Sequence, residues 1–139
     1  MNPELFEAYK KTAYCFCSPF GEVKIRIGQA NPLLNQLLLD NNAKSWVFIT
    51  AWNPYSLQQE MKVNISSNNE LEEYLTKNKY AYLKGFGVGD DGTWLPEASF
   101  LVLNIPKDDA INLGIRLKQN AIVAGVIGKI PELIECLNE

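Results

Sequence analysis

The 139-residue sequence contains no histidine. Without an imidazole the chain cannot form a Ser-His-Asp or Cys-His catalytic group, and no histidine is available for acid–base catalysis or for ligating zinc. Cysteine is also scarce, and its three residues are Cys15, Cys17 and Cys136. We interpret them as ordinary small thiols rather than a disulfide, redox or metal site. We expect neither a metal nor a cofactor.

The sequence also lacks an excess of positive charge and any long apolar run. Its formal net charge is −3 and its pI is near 5.0, which argues against a protein that binds nucleic acid through phosphate contacts. No apolar stretch approaches the roughly 20 residues that span a bilayer, and residues 1–4 do not begin a signal peptide. We expect a cytoplasmic protein that binds neither nucleic acid nor a membrane.

What the sequence does have is enough apolar residues for one core. Hydrophobic residues make up 47% of the chain, and no repeat or linker divides it, so we predict a single domain over residues 1–139. The continuous apolar run within residues 45–52 predicts a central strand covered on both faces. Asn53 and Pro54 end that strand, because proline cannot donate to a ladder. In open sheets with helices on them, ligands collect where such strands end.

The remaining pattern predicts alternating helices and strands. Helices are expected at residues 3–12, at 31–40, from Ser67 onward and from Asp108 to Gln119. Strands are expected at residues 13–17, 22–27, 45–52, 80–83, 99–103 and 121–126, with an edge strand at 132–137. Residues 53–66 and 85–92 are expected to be loops. This order predicts an α/β domain, with α+β as the alternative: a mixed central sheet, an antiparallel N-terminal hairpin and helices packed on it.

Polar side chains at the ends of the buried strands are the candidate site residues. Glu97 and Ser99 share a face at the start of one strand, and a carboxylate there must be paired or face a polar pocket. Glu97 is therefore the candidate general acid–base or ammonium acceptor, with a strand-end carboxylate bonded to a neighbouring backbone as the alternative. The other candidates supply amides, hydroxyls, an aromatic wall and a cation: Asn53, Ser56, Ser99, Gln119, Asn120, Trp94 and Arg26. Turn chemistry, a helix cap and an exposed charge are the competing explanations for several of them.

The loop at residues 85–92 invites two further interpretations. Glycine amides can cradle a phosphate, but that arrangement requires a helix to follow, and here another strand follows. Asp90 and Asp91 could ligate a hard cation with Glu97, but they lack a third ligand at calcium-loop spacing. We therefore favour an ordinary connecting loop.

Five segments of the sequence share their order and spacing with a known family. They are Arg26–Gly28, Phe48–Pro54, Gly87–Gly92 with Trp94, Glu97–Leu103 and Gln119–Val123. Together they resemble the bacterial family called domain of unknown function 3293, over nearly the whole chain after residue 13. The resemblance implies a small cytosolic protein without an assigned activity, whose polar candidates form one cluster. It also matches Asn68 to an asparagine that is frequent in the helix after the long loop.

Two functional hypotheses remain open. In the first, the polar candidates form a cleft that binds or acts on a small polar molecule. In the second, the protein is a non-catalytic interaction or regulatory module that docks a partner through the hairpin edge or through Trp52 and Tyr55. The first hypothesis requires Asn53 and Glu97 to lie on the same side of the sheet. The sequence does not indicate an oligomeric state.

Overall fold

A computed structural model describes residues 1–89 and 95–137. In this part of the chain the helices are α1 (Pro3–Lys11), α2 (Pro32–Asp40), α3 (Met61–Lys77) and α4 (Lys107–Arg116). The strands are β1 (Ala13–Ser18), β2 (Gly21–Ile25), β3 (Ser45–Ile49), β4 (Tyr82–Val88), β5 (Glu97–Leu103), β6 (Ala121–Val126) and β7 (Glu132–Glu135). A single turn of 3₁₀ helix, Pro54–Ser56, follows β3. No helix among the described residues is both long and apolar enough to cross a bilayer.

The strands form one sheet in the order β2-β1-β4-β5-β3-β6-β7. The expected class, a single domain of helices on a sheet with an N-terminal hairpin, is confirmed. The sheet is not mixed, however, because every pairing between its neighbouring strands is antiparallel in the described residues. The apolar runs of β3, β5 and β6 indicate only that both faces of the sheet are covered by helices. Burial of both faces does not determine whether neighbouring strands run parallel or antiparallel.

The sheet curls until its two edges meet. The backbone N–H of Gly28, just after β2, donates to the carbonyl of Pro131, just before β7, at 2.9 Å. Gly28 has a φ of 80°, which glycine adopts without a steric cost. The curl gives the sheet an inner face, which carries Trp46 and Phe48, and an outer face, which carries Val47 and Ile49.

Helix α2 fills part of the inner face. Asn31 caps it by accepting a hydrogen bond from the N–H of Leu34 at 3.0 Å, as the Asn-Pro start predicts. Its buried leucines Leu34, Leu37 and Leu38 pack against the inner side chains of the sheet. Helices α3 and α4 cover the outer face with a second apolar cluster.

Several element boundaries differ from the sequence-based expectation, and those of β3, β4 and α3 bear on the site. Strand β3 ends at Ile49 rather than at residue 52, because the N–H groups of Ala51 and Asn53 bind side chains instead of a neighbouring strand. Strand β4 continues through residues 85–88, which were expected to form a loop. A Cβ at Gly85 would collide with the carbonyl oxygen of Cys15, so glycine is required there for strand pairing rather than for a turn.

Helix α3 begins at Met61 and not at Ser67, which lies inside it without capping it. The buried positions Asn64, Asn68, Leu71 and Leu75 follow a helical spacing. The first two are polar, so the apolar stripe is visible only from Leu71 onward. The expected long connection is therefore shortened to residues 50–60.

Candidate functional site

A cleft of about 740 Å³ opens at one end of the inner face. Helix α1 covers it with Leu5, Ala8 and Tyr9, and the rings of Tyr14 and Phe48 line its sheet side. The cleft lies where β3 ends and where β5 and β6 begin. These positions meet because β5 and β6 both run antiparallel to β3 and flank it.

Glu97 is the half-buried carboxylate of this cleft. It is the first residue of β5, and its Oε1 accepts a hydrogen bond from Nδ2 of Asn53 at 3.1 Å. Burial raises the pKa of Glu97, while the hydrogen bond from Asn53 acts in the opposite direction. Among the residues that the structure describes, no cation forms an ion pair with Glu97.

The Asn53 side chain is held in place by α3 and the loop before it. Its Oδ1 accepts from Nδ2 of Asn64 at 2.8 Å and from the N–H of Gln59 at 3.0 Å. Oδ1 of Asn64 in turn accepts from the N–H of Asn53 at 2.9 Å. Because its oxygen is already engaged, Asn53 presents its amide nitrogen to Glu97.

The loop after β3 adopts an unusual backbone conformation. Asn53, Tyr55 and Ser56 all have positive φ, at 44°, 54° and 60°. Such conformations cost of order 1 kcal/mol each for residues other than glycine, and they persist only where neighbouring structure enforces them. Here the Tyr55 N–H binds the carbonyl of Lys118, and Nε2 of Gln119 donates to the Trp52 carbonyl at 3.2 Å. Strain of this kind is frequent at functional sites.

Asn68 and Thr50 fix the start of β5. Oδ1 of Asn68 accepts from the Ala51 N–H at 2.9 Å, and its Nδ2 donates to the Ala98 carbonyl at 2.9 Å. The hydroxyl of Thr50 donates to the same Ala98 carbonyl at 2.6 Å. Since Ala98 follows Glu97 directly, these bonds also set where the Glu97 side chain lies.

A second polar chain joins α1 to the rim of the cleft. The Tyr9 hydroxyl lies 2.8 Å from Oγ of Ser56, to which Asn120 also donates from Nδ2 at 3.3 Å. The Tyr14 hydroxyl donates to the Tyr9 carbonyl at 2.8 Å. Burial raises the pKa of Tyr9 above its ordinary value, so this hydroxyl stays protonated at neutral pH.

The structure brings most of the candidate residues to the cleft. Asn53, Ser56, Glu97, Ser99 and Gln119 line it, and Asn120 reaches it through Ser56. The hydroxyl of Ser99 donates to the Glu97 carbonyl at 3.0 Å. Trp94 lies outside the described residues. The functional roles expected for these residues remain predictions.

The expected position of Arg26 needs correction. Arg26 lines a separate depression of about 170 Å³ with Lys24 and Cys15, and its Nη1 donates to the Lys11 carbonyl at 3.1 Å. The cause is the alternation of β2: Val23 and Ile25 are buried in the inner cluster, and Arg26, the residue after the strand, lies on the opposite side. Arg26 is therefore not part of the cleft.

Sequence reasoning missed several residues of the site, above all Tyr9 and Asn64. Helical spacing from Asn64 to Leu75 is the pattern that could have revealed the asparagine. Tyr9 could not be found in this way, because its contact with Ser56 joins positions 47 residues apart.

The two loop interpretations do not gain support. Gly85 and Gly87 lie within β4, so they are not part of a phosphate-binding turn before a helix. Residues 90–94, with both aspartates of the possible cation site, lie outside the described residues. Over 1–89 and 95–137, no group of three or more cysteine, aspartate or glutamate side chains is arranged to hold a metal ion.

A comparison with protein families bears on this part of the chain. A family model described as "Protein of unknown function (DUF3293)" matches residues 49–122, which is more than half of the chain. The match is shorter than the resemblance suggested. It contains Asn53, Glu97 and Gln119, whereas α1 and the β1–β2 hairpin lie outside it. Neither a curated protein nor a solved structure matches the chain.

Proposed function

The chain belongs to the DUF3293 family, and we propose that it binds, or acts on, a small polar molecule in the cleft beneath α1. The observation that carries this proposal is the meeting of Asn53, Glu97 and Gln119 at one end of the sheet, inside a cavity of about 740 Å³. Ligand pockets in proteins commonly have volumes of roughly 300–1,000 Å³.

The contacts within the site suggest different roles for its polar residues. Asn53 gives its amide oxygen to α3 and its amide nitrogen to Glu97, so it positions the carboxylate. Glu97 is the group that meets the ligand, as a hydrogen-bond acceptor or as a general acid–base. Gln119 donates to the Trp52 carbonyl, which leaves its side-chain oxygen to accept from a ligand.

The polar residues could instead serve stability alone, but two features favour a ligand site. The carboxylate of Glu97 is kept half-buried without a cation among the described residues, although a partly buried charge lowers stability. The loop that holds Asn53 is strained at three residues. A protein selected for stability alone would gain from removing both features.

A thermal-shift screen with metabolites tests the proposal. A ligand that binds only the native state raises the melting temperature by mass action. The Ala8→Trp variant would fill the cleft from α1, because Ala8 is exposed and lines the cavity. The matched control is Ala30→Trp, which adds the same ring at an exposed position away from the cleft.

We expect at least one metabolite to stabilise the wild-type protein and Ala30→Trp, and to lose its effect in Ala8→Trp. If every stabilising metabolite acts equally on Ala8→Trp, the cleft is not the binding site and the proposal fails.

The second candidate, an interaction module, has one observation in its favour. Large apolar side chains are exposed in the segment from the 3₁₀ turn into α3, among them Tyr55, Leu57, Met61 and Ile65. A protein partner of this surface would still bind Glu97→Gln and would bind Met61→Glu weakly. A pull-down that gives the reverse order of affinities would point back to the cleft.

A further inference from the structure

The charged side chains that line the cleft are mainly acidic. Among the residues that the structure describes, they are the carboxylates of Glu4, Glu7 and Glu97 and the ammonium group of Lys11. Glu7 is paired with Lys10 at 2.9 Å. Glu4 and Glu97 form no ion pair in the part of the chain that the structure describes. In a concave site, an unbalanced negative charge attracts cations and repels anions.

Glu97 is the more enclosed of these two carboxylates, because Glu4 is exposed on α1 and Glu97 is half-buried. Its Oε1 accepts from Asn53, and within residues 1–89 and 95–137 Oε2 has no hydrogen-bond partner. Burial raises its pKa, which means that the ionised form lacks hydration. A ligand cation beside Oε2 would stabilise the ionised form.

The rest of the cleft suits an apolar body. The rings of Tyr14 and Phe48 form an edge-to-face pair with centroids 5.4 Å apart, and both line the cavity together with Leu5 and Leu133. Aromatic faces also attract cations through their ring quadrupole. The cleft thus combines an aromatic and aliphatic wall with one half-buried carboxylate, that of Glu97.

We infer that the ligand of the cleft carries a protonated amine or amidine on an apolar body, and that Glu97 is its counter-ion. This inference rests on the proposed small-molecule function of the cleft. The apolar body packs on the wall that Tyr14, Phe48 and Leu5 provide, and the cation binds Oε2 of Glu97. Anionic ligands of the same size are excluded by the carboxylates.

Three probes of similar size test the charge preference. Phenethylamine is a cation at pH 7.5, 2-phenylethanol is neutral and 3-phenylpropanoate is an anion. Titration calorimetry of the full chain should give the highest affinity for the amine and no measurable affinity for the anion. Glu97→Gln should weaken amine binding about tenfold, the scale of a lost hydrogen bond to a charged group, and should leave 2-phenylethanol unchanged.

The variants are matched to separate this effect from a general loss of structure. Glutamine at position 97 keeps an oxygen that can accept from Asn53. Glu73→Gln removes an exposed carboxylate of α3 that does not line the cleft, and it should bind the amine as the wild type does. The wild-type affinity for the amine should also fall as the pH is lowered through the pKa of Glu97, whereas that of Glu97→Gln should not.

The possible outcomes distinguish this inference from the proposed function. Equal affinities for the three probes, or an equal loss of all three in Glu97→Gln, would overturn the inference and leave the cleft as a binding site. The inference also fails, and the cleft remains a binding site, if the amine does not bind but a neutral or anionic metabolite does. Binding of that metabolite must be abolished by Ala8→Trp. If no compound of any charge binds in a way that Ala8→Trp abolishes, both fail.

Discussion

Helices α1 and α2 begin alike but relate to the inner face in opposite ways. Both are nine residues long and start with an asparagine cap followed by proline. Helix α2 buries three leucines in the core, whereas α1 has no buried residue. The same local start can therefore lead to a helix that fills the inside of the curled sheet or to one that only covers its opening. The difference lies in the apolar stripe and not in the cap.

The largest loss of stability is expected from shortening a buried leucine side chain of α2. Leu38 is fully buried, so Leu38→Ala should lower the free energy of unfolding by about 2–5 kcal/mol, the range for large-to-small changes in a core. Leu5→Ala in α1 should cost much less, because Leu5 is only partly buried. Urea denaturation measures both. Equal losses would mean that α1 is as much a part of the core as α2.

The next largest loss of stability is expected from breaking the hydrogen bonds between Asn53 and Asn64. Asn64→Ala removes the partner of the Asn53 N–H and a donor to its side chain, and unpaired buried polar groups cost about 1–3 kcal/mol. Asn69→Ala, at an exposed position of the same helix, is the control and should change stability little. A destabilisation by Asn69→Ala as large as that by Asn64→Ala would contradict the importance of the buried network.

A smaller loss of stability is expected from removing the hydrogen bond that joins α1 to Ser56. Tyr9→Phe keeps the ring and removes the hydroxyl that contacts Ser56, so we expect a loss of about 0.5–1.5 kcal/mol, a typical net hydrogen-bond contribution. Hydrogen exchange should show faster exchange in α1 and unchanged exchange in α2. If both helices exchange faster, α1 does not open separately from the rest of the fold.

The smallest effect concerns the pH dependence of stability. The pKa of Glu97 is raised in the folded protein, so the folded state binds the proton more tightly than the unfolded state does. Wild-type stability therefore falls as the pH rises from the unfolded-state pKa through the folded-state pKa. Glu97→Gln avoids this loss and should melt at a higher temperature than the wild type near neutral pH.

Melting curves across the acidic range provide the control for this prediction. Below the unfolded-state pKa, Glu97 is protonated in both states, so the advantage of Glu97→Gln should shrink toward zero. If the difference in melting temperature between Glu97→Gln and the wild type is the same at every pH, the ionised carboxylate is not its cause.

Local sequence patterns predict the elements whose start or burial pattern can be recognised from neighbouring residues. The Asn-Pro start of α2 and the alternation of β2 are both visible in the sequence and present in the structure. Strand order and direction are not visible, because they depend on pairings between distant segments such as β3 with β6. The start of α3 is hidden for another reason: Asn64 and Asn68 occupy positions where a core helix usually has apolar residues.

The candidate site was predictable in part for a simple geometric reason. Glu97 starts one strand and Gln119 precedes another, and both strands flank the end of β3, so residues picked for their place at strand ends meet. The contribution of α1 was not predictable, because nothing in residues 3–11 indicates that Tyr9 reaches Ser56. Arg26 was wrongly expected in the cleft, because it directly follows the inward-facing Ile25 at the end of β2 and lies on the opposite side.

The contact between Gly28 and Pro131 has a consequence for how molecules of this protein meet each other. An uncovered edge of a sheet is a template on which another chain can add a strand, and growth of this kind leads to fibres. Here the two outermost strands, β2 and β7, are drawn together by the hydrogen bond beside them. Gly28 and Pro131 already use this donor and this acceptor on each other, so these two groups are not available to a strand from a second molecule. The curl that creates an interior for the cleft thus also brings together the two edges on which a second chain could add a strand.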